Sequence, residues 1–415
     1  MARTLFTNAT IWPGSGEGAF AGALLVEGNR IAQVWHGAAR DVTADETIDC
    51  RGGTLMPGLV DGHSHLSFVE TPVFADMGNI PPEEHLLATM HHAKRVLEAG
   101  FTSAVGAGSA KARLDIVIRN EIHAGRIPGP RMLAASPELT VTGGLGDERK
   151  LHLYRESVGM IVDGADEMRR AVRTLCREGV DIVKLNVSGN QTLPNARAET
   201  TLMTEAEVDA ACDTAQSIGK RVAAHCRSSA AVQLALRHGV SMIYHCEFAD
   251  AQTLDLLEAA RDRVFLAPAV GLLHALIYEA EPWGITRAKS AAMGVVAQYE
   301  LVTAVYTELR KRKMRVLIGG DYGFPWTPHG TNARDLEHFV NLFGYSAHEA
   351  LLAATAVGAQ AMLLGDRCGQ LRDGFLADLI LVDGKPHDDV RVLQQQAKLR
   401  AVMKDGNFYK RLSSP

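Results

Sequence analysis

Cysteine is scarce in this chain. Six residues in 415, Cys50, Cys176, Cys212, Cys226, Cys246 and Cys368, form no C-x-x-C pair, which is far from a disulfide framework. No stretch approaches the roughly 18 uninterrupted apolar residues of a spanning helix. The first twelve residues lack the charged region, apolar run and small-residue cleavage site of a secretory leader. Basic excess is also missing. Lys and Arg number 43 against 48 Asp and Glu, a net charge of −5, so no positive field exists to hold nucleic acid or an anionic membrane. Hydrophobic residues at 47% and charged residues at 22% exclude a disordered, collagenous or coiled-coil chain. The expectation is a soluble cytoplasmic protein with reduced thiols, acting on a small molecule.

What the chain does have is histidine, 16 of them. Histidine is the commonest metal ligand and titrates near neutral pH, so position decides its meaning. Residues 5–11, 23–26, 30–34 and 47–50 read as short strands, and 378–382 and 399–403 repeat that character around the turn Lys404-Asp405-Gly406-Asn407. Between these ends, β-rich runs at 55–65, 102–107, 131–135, 182–187, 221–226, 242–245, 264–267 and 316–320 alternate with helical patterns. Met168, Val172, Leu175 and Cys176 follow one buried helical face. Thr204 with Glu207 and Ser346 with Glu349 read as capping boxes. Eight strands alternating with helices predict a (β/α)₈ TIM barrel over 58–365. A small β-sandwich domain is expected from both termini, 1–57 and 366–415. The excursion 268–315 is long enough to cover a substrate.

His63 and His65 form an H-x-H pair at a strand end, where alternate side chains face one way. Lys184 sits inside the apolar run 182–187, where a lysine is costly to bury unless paired or modified. His225 and His245 end two further strands, and Asp321 ends the last. Alone, each has a plain structural reading: a satisfied core histidine, a rim salt bridge, a helix N-cap. Together all six fall at C-terminal strand ends, the catalytic face of such a barrel.

The runs PGLVDGHSHL, IVKLNVSG, VAAHC, IYHCEF and GGDYGFPWTPHGTNARDLE, with GQLRDGFLADLILVDGKP and VMKDGNFYK near the end, resemble the amidohydrolase superfamily. More narrowly they are similar to its imidazolonepropionase-like branch of metal-dependent prolidases, carboxypeptidases and ochratoxinase-like amidases. The resemblance implies two divalent metal ions, most often zinc. His63, His65 and Asp321 would hold one and His225 and His245 the other, bridged by N6-carboxylated Lys184. It implies attack by a metal-bridging hydroxide, with Asp321 as general base and then acid, and assembly into a homo-oligomer.

Departures from the family pattern bear on substrate. Leu145 stands where many relatives carry a histidine, Arg227 where they carry His or Tyr, Cys246 where they carry Gly, and Val105-Gly106 where they read Arg-Asp. Arg227 could clamp a carboxylate or form a structural salt bridge. Tyr154, Trp283, Trp326 and Phe68 could line an aromatic pocket or pack their loops, and His329 matches the family without a derivable role. The leading expectation is hydrolysis of a carboxamide C–N bond in an N-acyl amino acid, dipeptide or aryl amide. Hydrolysis of a urea, carbamate or thiocarbamate is the alternative, followed by deamination or ring opening of a heterocycle and by a non-catalytic binding scaffold.

Overall fold

The computed structural model describes residues 2–191, 193 and 195–411. Strands from both ends of the chain join in one mixed sheet. Arg3–Ile11 pairs antiparallel with Phe20–Glu27, which pairs with Arg30–His36. On its other side Arg3–Ile11 lies parallel to Thr54–Pro57, and Thr54–Pro57 pairs antiparallel with Leu379–Val382. Leu399–Lys404 and Asn407–Arg411 extend the sheet. Strand alternation buries Phe6, Ile11, Leu24 and Val26 from the first strands with Leu379, Leu381 and Met403 from the last. That shared apolar face holds the two termini together. Asp405 and Gly406 both take positive φ, 49° and 72°, the geometry an Asp-Gly hairpin favours.

The run 55–65, expected as one strand, is two. Thr54–Pro57 belongs to the terminal sheet and Leu59–Ser64 to a parallel one, because the chain changes partner at Gly58. The Gly58 N–H donates to the Asp378 carbonyl, and the Leu59 N–H donates to the Gly100 carbonyl. Leu59–Ser64 continues into Phe101–Gly106 and Arg131–Leu133. After a break at Ala134, Ala135–Thr140 pairs with Ile182–Asn186, followed by Arg221–Ser228, Met242–Phe248 and Phe265–Ala267. Helices alternate with these strands. The strands are buried nearly throughout, as parallel strands covered on both faces must be. The fold is TIM-barrel-like α/β. Among the described residues no helix is long and apolar enough to cross a membrane.

The last expected strand, 316–320, is reduced to a single bridge between Val316 and Leu266. Gly319, Gly320 and left-handed Asp321, at φ 62°, end the extended conformation early. Its backbone still joins its neighbours: Leu317 N–H donates to Leu266 O and Gly62 N–H to Ile318 O, both at 2.8 Å. Both capping boxes form, at Thr204 with Glu207 and at Ser346 with Glu349. Met168, Val172 and Leu175 are buried, while Cys176 is only half-buried.

The seam between the first and last of these segments needs two bare backbones. A Cβ on Gly62 would lie 2.5 Å from Leu317 Cβ and 2.8 Å from Ile318 O, and one on Gly319 would lie 2.5 Å from His63 Cβ. Gly62→Ala is therefore expected to cost about 1–3 kcal/mol of stability by overpacking. Urea denaturation measures it, and an unchanged midpoint would show that the seam is loose.

Candidate active site

His63, His65, Lys184, His225, His245 and Asp321 all line one cavity of 410 Å³. His63 lies in the strand Leu59–Ser64 and His65 just past its end, with ring centroids 5.1 Å apart. His245 closes on both sides, 5.4 Å from His63 and 4.2 Å from His225. Asp321 Oδ1 is 3.3 Å from His65 Nε2 and 3.8 Å from His63 Nε2.

Hydrogen bonding assigns the tautomers. His65 Nδ1 faces the Gly108 carbonyl at 3.0 Å. A carbonyl can only accept, so Nδ1 carries the proton and Nε2 of the neutral ring keeps its lone pair. That lone pair points at the Asp321 carboxylate. Two acceptors at 3.3 Å repel unless a cation, proton or metal ion, lies between them. His225 Nε2 likewise donates to the Gly189 carbonyl at 3.0 Å, and Nδ1 of His63 and of His245 is buried with no partner. Burial pushes the pKa values of His63, His225 and His245 well below the ordinary range, so these rings are neutral, as ligation requires. Burial opposes ionisation of Asp321, but the charge of the Lys184 ammonium favours the carboxylate, and its carboxyl lies below the usual range. The donor set of His63, His65 and Asp321 fits a divalent cation. His63, His65 and Asp321 bring one donor atom each within 4.8 Å of one another.

Supporting contacts are in place. Asp61 accepts hydrogen bonds from the His63 N–H at 3.0 Å and from Asn332 Nδ2 at 2.9 Å. The Tyr244 ring stacks on His63 at 4.0 Å and 14°. His245 and Asp321 take left-handed backbone, φ 79° and 62°, strain of about 1–3 kcal/mol each that concentrates at working sites. Cys246, where the family pattern has glycine, also has positive φ, 65°.

Lys184 is 1% exposed, and its Nζ lies 3.3 Å from Glu138 Oε1. Glu138 was not singled out in the sequence, although a carboxylate in the apolar run Ala135–Thr140 carried the same signal as Lys184. It also accepts from Asn186 Nδ2 at 2.9 Å, and that amide reaches the Leu145 carbonyl at 3.0 Å.

The family model described as "Amidohydrolase family" matches residues 54–409. The chain belongs to the amidohydrolase family. It is thus an amidohydrolase, an enzyme acting on C–N bonds, from a family that is typically metal-dependent. It is similar to ochratoxinase from Aspergillus niger, 26% identical across 98% of this chain and 86% of that one. It is also similar to imidazolonepropionase from Acidiphilium cryptum, 25% identical across 86% of this chain and 87% of that one. Among solved structures, a Xaa-Pro dipeptidase with bound methionine in its active site superposes with a TM-score of 0.85, at 26% identity over 99% of this chain and all of that one.

The amidohydrolase cavity sorts the remaining expected residues. Leu145 and Trp326 line it, with Phe68, Phe74, Phe324 and, from the excursion 268–315, Leu272, Leu276, Ile285 and Met293. Trp283 stands back, 41% exposed, and touches the wall through the Trp326 edge at 6.0 Å. Tyr154 is 91% exposed and belongs to a separate, more open groove with Arg149 and Arg155. His329 is buried behind Phe68, bonded to its carbonyl. Arg227 does not line the cavity either. It is buried against Glu247, two residues past His245 on the neighbouring strand, and reaches Gln298 Oε1 at 3.5 Å. Glu247 supplies the counter-charge that burial demands, so the guanidinium is spent on structure.

That pair generates a prediction. Arg227→Ala leaves Glu247 buried and uncompensated and should cost about 3–5 kcal/mol. Arg227→Met combined with Glu247→Leu should lose much less. Denaturant unfolding of the variants measures both, and equal losses in single and double variants would contradict a charge-pair origin.

Proposed function

We propose that this amidohydrolase is a binuclear-metal-dependent hydrolase of a carboxamide C–N bond in substrates carrying an apolar or aryl group. One observation carries the reading: six metal-competent side chains face a single cavity walled by aliphatic and aromatic residues. Among the described residues both cations near its floor are already paired, Lys184 with Glu138 and Arg227 with Glu247. Glu138, Glu148, Asn190 and Gln191 add polar groups to the lining, but among the described residues no unpaired guanidinium or ammonium lines it, so recognition rests mainly on apolar contact. The names of the ochratoxinase and Xaa-Pro dipeptidase relatives support hydrolysis of a C–N bond.

In this reading His63, His65 and Asp321 would hold one metal and His225 and His245 the other, with Lys184, as a carbamate, a ligand to both. Carboxylation would turn a buried cation into an anionic ligand and release Glu138, which lines the cavity, from its ion pair, leaving it the Asn186 amide as donor. Bound metals, zinc by preference, would supply Lewis acidity toward the scissile carbonyl and lower the pKa of water from 15.7 to about 7. Asp321 takes a proton from the attacking water and hands it to the leaving nitrogen. The aromatic wall orients the substrate and excludes bulk water, and Leu145 offers no polar contact to the carbonyl region. The scaffold is a closed (β/α)₈ barrel over 58–365, with a small β-sandwich from 1–57 and 366–415, in a cytoplasmic homo-oligomer.

A second reading, hydrolysis of a neutral urea, carbamate or thiocarbamate, is favoured by the same missing carboxylate clamp. A substrate panel read by product mass spectrometry separates them. Cleavage of aryl and N-acyl amides supports the first, and activity confined to ureas and carbamates overturns it for the second.

The metal site is tested without substrate. The variant His63→Ala/His225→Ala should hold about two fewer metal equivalents than the wild-type chain, as a two-metal site requires. Lys184→Ala should lower activity about 100-fold or more and recover part of it with short carboxylic acids, which replace the carbamate. Unchanged metal content and activity in Lys184→Ala would remove its bridging role.

A further inference from the structure

His329 and His92 have no part in the cavity, yet they form a second built cluster with Glu70. One donor atom from each of the three lies within 4.8 Å of the others. The histidines are 8% and 2% exposed for His92 and His329, with ring centroids 4.3 Å apart. Each is oriented by a backbone carbonyl. His92 Nδ1 donates to Leu66 O at 3.1 Å, and His329 Nε2 donates to Phe68 O at 3.0 Å. The remaining nitrogens, His92 Nε2 and His329 Nδ1, therefore carry the lone pairs. A ring nitrogen bonded to a carbonyl while its opposite nitrogen is free is the arrangement that orients metal-ligating histidines. Burial depresses both pKa values, which keeps the rings unprotonated.

Glu70 completes the set. The Arg95 guanidinium at 2.9 Å and the His329 N–H at 2.8 Å both donate to Oε1, which leaves the second carboxylate oxygen to face a cation. Arg95 is the competing charge. Its side chain is 45% exposed, so solvent screens it and it can turn outward. Tetrahedral zinc with bonds of about 2.0–2.1 Å sets its ligand atoms about 3.4 Å apart, so binding requires the three side chains to draw together.

We propose that Glu70, His92 and His329 form a structural site for a divalent transition metal such as zinc, separate from the six-residue site. It ties three segments together: the turn 66–70 that follows the His63/His65 strand, the helix Pro82–Glu98, and the loop before the helix Arg334–Phe343. Phe68 stands between the two sites. Its ring stacks on His65 at 4.1 Å and its carbonyl receives His329. A metal here locks the turn that sets both the cavity wall and the His65 ring.

The test uses a full-length chain carrying His63→Ala/His225→Ala, so that the six-residue site is disabled independently of any view of its chemistry. This chain, dialysed against zinc and then metal-free buffer, should retain about one equivalent with His₂Glu ligation, and cobalt in its place should give a tetrahedral visible spectrum. Adding His92→Gln, or separately His329→Gln, should abolish retention and the spectrum, while circular dichroism reports that each variant is folded. Zinc should also raise the thermal midpoint of the parent chain but not of the His92→Gln chain. No retained zinc and no zinc-dependent midpoint shift in the parent chain would overturn the proposal. So would retention that survives both glutamine substitutions.

Discussion

A carboxylate cannot face the lone pair of a buried imidazole across 3.3 Å without a cation between them, and much of this molecule is arranged around that requirement. The Gly108 carbonyl selects the His65 tautomer that turns Nε2 toward Asp321. Burial keeps His63, His225 and His245 neutral, and the left-handed backbone of His245 and Asp321 places them. Strain of that kind persists only where surrounding packing over-determines it. Here the packing is the seam in which Gly62 and Gly319 let backbones approach closer than any side chain would permit.

The same economy of charge shapes the substrate cavity. Strand lysine and arginine near the floor are each matched by a carboxylate one strand away, Glu138 for Lys184 and Glu247 for Arg227. Such pairs offset the desolvation cost of burial, and the walls come mainly from Phe68, Phe74, Phe324, Trp326 and the aliphatic side chains of the excursion 268–315, with Glu148, Asn190 and Gln191 among them. A wall of this composition selects by shape and apolar area. Phe324 and Trp326 lie parallel in that wall, ring centroids 5.5 Å apart at 1°.

Much of the site was legible beforehand because strand periodicity is strict. Two histidines spaced by one residue must share a face, and a lysine, two histidines and an aspartate at the same ends of different strands converge if the strands are parallel. Capping boxes were legible for the same local reason. Partners across strands were not. Glu138 and Glu247 answer buried cations 46 and 20 residues away, and no spacing rule connects them. Tyr154 and Trp283 were expected in loops on the active-site side, but loop direction is set by long-range packing, and both stand off the cavity. The expected strand at 316–320 shrank to one bridge because two glycines and a left-handed aspartate end it.

By itself the sequence determined the alternating β/α plan and which six side chains would meet, since these follow from local periodicity and residue type. Tertiary structure decided which charges were spent on one another, which aromatics faced inward, and that His329 joins His92 and Glu70 rather than the cavity. Those outcomes depend on distances between segments remote in the chain. Electrostatic and apolar contacts act over a few ångströms of space, whatever the separation in sequence.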